Sequence, residues 1–152
     1  MTSMISRFTI PMLSVILISI ATVSPKADEA SDIKYRQTIM KAIGGTMGSM
    51  AAIVKGKAPQ AHAAPLAQAM LQLSSTVKDV FPNGSDFGET RAKAEIWQKP
   101  TEFKAAVAAF ETAALTISKV SQSGDPAAFV NAFKALGKSC GGCHKPFRQP
   151  KK

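Results

Sequence analysis

The stretch that most constrains this 152-residue chain is Cys140-Gly141-Gly142-Cys143-His144, close to its C-terminus. The spacing is Cys-x-x-Cys-His, the attachment signature of c-type haem. Two thiols can add across the two vinyl groups of haem as thioethers. Two intervening residues let both sulfurs reach one porphyrin edge from a single helical turn. His144 follows directly and can ligate the iron through an imidazole nitrogen. The stretch also keeps a register. Phe129, Phe133, Leu136, Cys140, Cys143 and Phe147 recur at spacings of 4, 3, 4, 3 and 4. Both cysteines therefore lie on the core seam of a helix, and a haem bonded there lies against the interior of whatever that helix packs on.

Three other chemistries use such cysteines. A thiol redox pair expects a thioredoxin-like βαβ context, and no strand pattern is present. A structural zinc site needs four ligands. Cys140, Cys143 and His144 supply three, and His62 is the only other histidine. A Cys140–Cys143 disulfide would strain a helix and leave His144 idle. Haem attachment uses all three side chains.

The N-terminal residues read as a leader. Met1 to Arg7 is short and carries one positive charge, Phe8 to Val23 is apolar, and residues 24–30 are small and polar. That is the order of a secretory signal peptide, expected here over residues 1–27 with the mature domain over 28–152. Cleavage is expected after Ala27, although Pro25 makes the site imperfect. Export to the periplasm suits the motif, because covalent haem attachment takes place after export. A leader also disfavours a nucleic-acid partner, as does the lack of aromatic residues among the scattered cations. Without Arg7 and Lys26 the chain keeps 17 basic against 10 acidic residues. Such a surface is either simply solvated or meets acidic redox proteins.

Four amphipathic segments follow. The first spans Ser31 to Val54, with Met40, Ile43, Met47, Met50 and Val54 on one face. Gly44, Gly45 and Gly48 interrupt it, each weakening the helix by about 1 kcal/mol relative to Ala. Close approach of another helix or of a flat ring would give a reason for them. The second spans His62 to Val80, with Leu66, Met70, Leu73, Val77 and Val80. A connection over 81–100 holds a short helical piece, Lys93 to Gln98, with Trp97 either plugging the core beneath the loop or touching the haem edge. The third runs from Pro100 to about Ser123 on Phe103, Val107, Phe110, Ala114 and Ile117. The fourth opens at Asp125-Pro126, an N-cap followed by proline at the first helical position. The fold class is all-α, an antiparallel four-helix bundle.

At this point the mature chain resembles the class II cytochromes c, the cytochrome c′ family, over nearly all of residues 31 to 149. The resemblance is carried by Tyr35-Arg36-Gln37-Thr38-Ile39-Met40, Val54-Lys55-Gly56, Ala94-Glu95-Ile96-Trp97, Phe103-Lys104, and the Cys140–His144 motif with Phe147-Arg148. It implies one covalently attached haem c per chain, with Cys140 and Cys143 as thioethers and His144 as the proximal ligand. It places Arg36 and Gln37 along the haem edge, Thr90 and Arg91 in a loop near the haem, and Arg148 near the proximal histidine. Arg36 would then meet a propionate; read without the resemblance, it is a solvated helix charge. Arg148 could likewise be a tail cation.

Met40 matches the family's distal position, and two outcomes are open. Its thioether can ligate the iron, which raises the reduction potential and suits electron transfer with periplasmic redox proteins. Or it can cover an open, five-coordinate iron that takes NO or CO. A methionine stripe is also ordinary core filler. Met40-Lys41 followed by glycines resembles the low-spin relatives, so ligation is the expectation and gas binding the alternative. No cluster of catalytic acids, bases or nucleophiles is present, so an enzyme is not expected. Family relatives often form homodimers through their first two helices. Ala42, Gly45, Ala51 and Ala52 would permit such close packing.

Overall fold

Apolar residues at helical spacing give four long helices and one short one. A computed structural model describes residues 29–150, so the expected leader lies outside the described residues. The helices are α1 (Glu29–Val54), α2 (Ala63–Thr76), α3 (Glu95–Gln98), α4 (Pro100–Ser121) and α5 (Pro126–Phe147). No helix among the described residues is long and apolar enough to cross a membrane.

Each boundary has a local cause. Gly56, at φ +67°, closes α1. The Lys57 amide donates to the Ala52 carbonyl at 2.8 Å and the Gly56 amide to Ile53 at 2.9 Å, which satisfies the last carbonyls in a Schellman turn. The Asp125 carboxylate accepts from the Ala127 and Ala128 amides at 2.8 and 3.2 Å and so caps α5. Pro100 and Pro126 sit in first turns, where no amide is missed.

The second segment departs from expectation. It is not one helix from His62 to Val80 but a 3₁₀ turn at Gln60–His62, the helix α2, and a second 3₁₀ turn at Val77–Asp79. The hydroxyls of Ser74, Ser75 and Thr76 each donate to a carbonyl three residues back, at 2.8 Å. Such bonds compete with the backbone ladder and favour a tighter turn beyond it.

The helices pack in the ring α1–α2–α4–α5, with α4 on α5 the broadest contact and α1 on α5 the thinnest. Short links at 55–62 and 122–125 make their neighbours antiparallel. The core holds Met50, Met70, Ala114, Ile117 and Leu136, all with no exposed surface, and Phe129. Every residue named above for the face of the third segment, Phe103 to Ile117, is buried.

The glycines of α1 need a correction. Among the described residues, a Cβ at Gly44, Gly45 or Gly48 would meet nothing within 4 Å, so no neighbouring helix of the bundle approaches them. The close approach is at Gly137 on α5, where a Cβ would lie 3.4 Å from the Met47 Cε. This is where α1 and α5 touch. Below it, toward the C-terminal end of α5, the seam between them holds a cavity.

Candidate haem site

The cavity is about 350 Å³ and opens between the first part of α1 and the last turns of α5. Val77, Phe81, Ile96, Phe103 and Phe147 form its apolar walls, while Met40, Cys143 and His144 reach into it. A smaller space of about 40 Å³ continues inward between Ile43, Val107, Phe110 and Cys140. The two spaces share Met40, Val77, Cys143 and His144. Helical periodicity puts Cys140, Cys143 and His144 on one side, because α5 runs unbroken through them to Phe147. Met40 enters from α1, one of the four helices lining the site.

The chemistry of the three motif residues follows from their burial. Both cysteines are free and half-buried. Burial pushes both thiols above their ordinary value, and the nearby Arg148 only partly offsets this. His144 is moved the other way, first by burial and then by the charges of Arg148 and Arg91. Its imidazole is therefore neutral over a wider pH range, with a lone pair free to ligate. Among the described residues, no three His, Cys, Asp or Glu side chains converge as a metal cluster would require.

Charge on the lining is one-sided. Arg36, Lys41, Arg91 and Arg148 line the larger cavity with His144, and no carboxylate does. Arg36 is only 4% exposed. Its guanidinium donates to the Ser85 hydroxyl at 2.7 Å, the Ser85 carbonyl at 2.8 Å and the Thr90 hydroxyl at 2.9 Å. It also lies 4.9 Å over the Phe81 ring. Burial lowers its pKa while Asp32, one turn back, raises it; an arginine remains a cation regardless. The solvated-charge reading of Arg36 is therefore replaced: it clamps the 80–90 loop to α1. Gln37 adds a second tie, donating to the Glu89 carbonyl at 2.7 Å.

The remaining predicted residues are also at this site. Thr90 lines the cavity, and its hydroxyl accepts from Arg36 and from the Ala92 amide at 3.1 Å. Arg91 lines it and donates through Nε to the Gln149 carbonyl at 2.9 Å. The Gln149 amide returns a bond to the Arg91 carbonyl at 2.8 Å, and the Lys93 amide donates to Phe147 at 3.0 Å. These bonds hold the 91–93 strip antiparallel to the chain end, which brings Arg148 to the rim. Trp97 is absent from the lining. Its indole donates to the Pro82 carbonyl at 3.1 Å and its ring meets Phe81 edge-on, so it packs beneath the loop. Ser85 and the Phe81 wall gave no site signal in the sequence, and Lys41 stood out there only as the neighbour of Met40. Arg36 left a signal there, since it continues the Met40–Ile43–Met47 register one step back to a position where a charge is out of place.

A flat, largely apolar group bearing two carboxylates fits this site. The site has two thiols and an imidazole on one helix, aromatic and aliphatic walls, and four cations on a lining without a carboxylate. A four-helix bundle with such a site near the end of its last helix is the architecture of a class II c-type cytochrome.

The comparisons with known proteins agree. The family model for Cytochrome C' matches residues 31–148. Cytochrome c' from Pararhodospirillum photometricum is 38% identical over 119 residues, covering 77% of this chain and 95% of that protein. Cytochrome c-556 from Agrobacterium fabrum is 38% identical over 125 residues, covering 80% and 84%. Among solved structures, cytochrome c' from Rubrivivax gelatinosus aligns with a TM-score of 0.75 at 32% identity, covering 80% of this chain and 97% of that one. A nitric oxide complex of a cytochrome c prime variant from Alcaligenes xylosoxidans aligns at 0.76 and 29%, covering 82% and 98%. A carbon monoxide complex of another variant of that protein gives the same values. The chain belongs to the cytochrome c′ family, whose members carry one covalently attached c-type haem.

Proposed function

We propose that this protein is an exported, periplasmic haem protein that takes NO or CO at the face of the iron opposite His144. Cys140 and Cys143 hold the haem covalently, His144 is its proximal ligand, and Met40 covers the other face. Arg36, Gln37, Thr90, Arg91 and Arg148 would lie along its edge, where the positive charge of the arginines would favour its propionates. A haem bound there would supply an iron that takes a diatomic ligand and that gains or loses one electron reversibly.

The observation that supports gas binding over simple electron carriage is the company of structures at 29% identity that hold NO or CO. The surroundings of Met40 agree with it. Ile43, Val77, Val107 and Phe110 offer no hydrogen-bond donor, and the Ser139 hydroxyl is spent on the Leu136 carbonyl at 2.7 Å. In that inner space these residues give a strongly polar ligand no free donor, whereas NO and CO need none. A second reading, in which the Met40 thioether closes the iron for electron transfer, is supported by Met40 lining the same two spaces as His144.

The test is titration of the reduced holoprotein with NO and with CO, followed in the visible spectrum. New absorption bands at stoichiometric gas are expected. A spectrum unchanged at saturating gas in wild type, but responsive in Met40→Ala, would establish the second reading instead.

We also propose a homodimer through the outer faces of α1 and α2, supported by the open surface over Gly44, Gly45 and Gly48. Gly45→Arg is expected to give a monomer in sedimentation equilibrium.

A further inference from the structure

The aromatic side chain most exposed among the described residues stands beside the haem cavity. Phe87 is 71% exposed, yet the loop that carries it is tied down. Gln37 holds the Glu89 carbonyl at 2.7 Å. The Thr90 amide donates to Gly88 at 2.8 Å, and Gly88 adopts φ +84°. Among the described residues the ring is left largely in water on a loop whose backbone is held. Buried against another surface, such a ring is a typical interface anchor.

Next to Phe87 lies a groove of about 700 Å³ against α1, with Lys34, Gln37 and Lys41 along its wall. Gln37 and Lys41 also line the haem cavity, so the two openings adjoin. Lys34 and Lys41 are exposed and, among the described residues, neither is paired with a carboxylate. Arg91 and Arg148 add charge at the cavity rim. Glu89 is the single carboxylate lining either space.

We propose that this face, with Phe87 as anchor and Lys34 and Lys41 flanking it, docks an acidic redox protein. The proposal rests on the haem reading above. Charge complementarity selects the partner. Lys34, Lys41, Arg91 and Arg148 outnumber the carboxylates of this side, Glu89 with the neighbouring Asp86 and Asp32, and steer an acidic surface to it, and the haem cavity opens here. The exchange is of one electron per encounter, lost by the donor and gained at the haem, with no bond made or broken. A lipid surface would need no single projecting ring and no adjacency to the cavity.

The experiment uses the oxidised holoprotein and two donors. One is a reduced flavodoxin, an acidic protein; the other is the methyl viologen radical, a small cation. Lys34→Glu with Lys41→Glu is expected to slow reduction by flavodoxin about tenfold at low salt and weaken the calorimetric Kd for oxidised flavodoxin by about as much. Reduction by the viologen radical is expected to rise, because the same change draws a cation to this face. Phe87→Ala is expected to slow flavodoxin several-fold with the salt dependence unchanged. Lys55→Glu with Lys119→Glu makes the same change of net charge away from this face and is expected to alter either rate less than about twofold.

Equal slowing by the remote pair would reduce the effect to net charge and overturn the proposal. So would flavodoxin rates unaffected at Lys34, Lys41 and Phe87, whether because those residues bind phosphatidylglycerol vesicles or because they bury against a second copy. Wild type lacking covalent haem would sink the reading beneath it; intact haem spectra with unchanged flavodoxin affinity would sink only the docking face.

Discussion

Arg36 carries a full charge into a nearly closed site and distributes it over neutral oxygens of Ser85 and Thr90. Hydrogen bonds to a charged group are worth about 1.5–3 kcal/mol each when made, and leaving buried partners unmet adds to the loss. Arg36→Met is therefore expected to lower stability by about 2–4 kcal/mol, read from the urea midpoint. Arg36→Lys should recover only part of it, because a compact ammonium cannot serve Ser85 and Thr90 as a planar fork does. Equal stability of wild type and Arg36→Met would mean that the loop does not depend on this clamp. Arg36 was hard to read because its partners lie about fifty positions away, in a loop without periodicity. The motif residues were plain in sequence for the opposite reason: their chemistry is local and their spacing is fixed by one helical turn. Whether Met40 bonds or only covers was not legible, since a thioether at that register serves either way.

At the scale of the helix, the four long segments could be read because apolar faces repeat at three and four residues. What escaped was local competition. Three consecutive hydroxyl residues, Ser74 to Thr76, shorten α2 and tighten Val77–Asp79. Val77 thereby takes its place in both haem-site spaces. The exposed glycines of α1 were visible, but their lack of any internal neighbour was not. Gly44→Ala is expected to stabilise the isolated protomer by about 0.5–1 kcal/mol, measured by urea denaturation, because helix propensity improves and no described residue of the same chain is in the way. Gly137→Leu should do the reverse, since Met47 already stands where its side chain must go. Asp125→Ala should cost about 1 kcal/mol through the loss of two capped amides.

In the whole molecule, the bundle closes well on three of its four seams and least on the fourth, between α1 and α5. That seam is where the cavity proposed for the haem lies, so a haem bound there would complete the core. The double variant Cys140→Ala/Cys143→Ala is expected to lose its haem on denaturing extraction and, as apoprotein, to unfold at lower urea than the holoprotein. Haem retained through that extraction would contradict thioether attachment. The topology followed from helix count and link length; the uneven seam did not, because it depends on how the 81–94 loop is pinned by Arg36 and by the chain end.

The proposed function requires an iron held by His144 with its opposite face covered by Met40 but not bonded to it. The electron paramagnetic resonance spectrum of the oxidised, gas-free holoprotein distinguishes the two states. A high-spin, five-coordinate signal is expected, and Met40→Ala should leave it high-spin. A low-spin signal in wild type that becomes high-spin in Met40→Ala would contradict the proposed function.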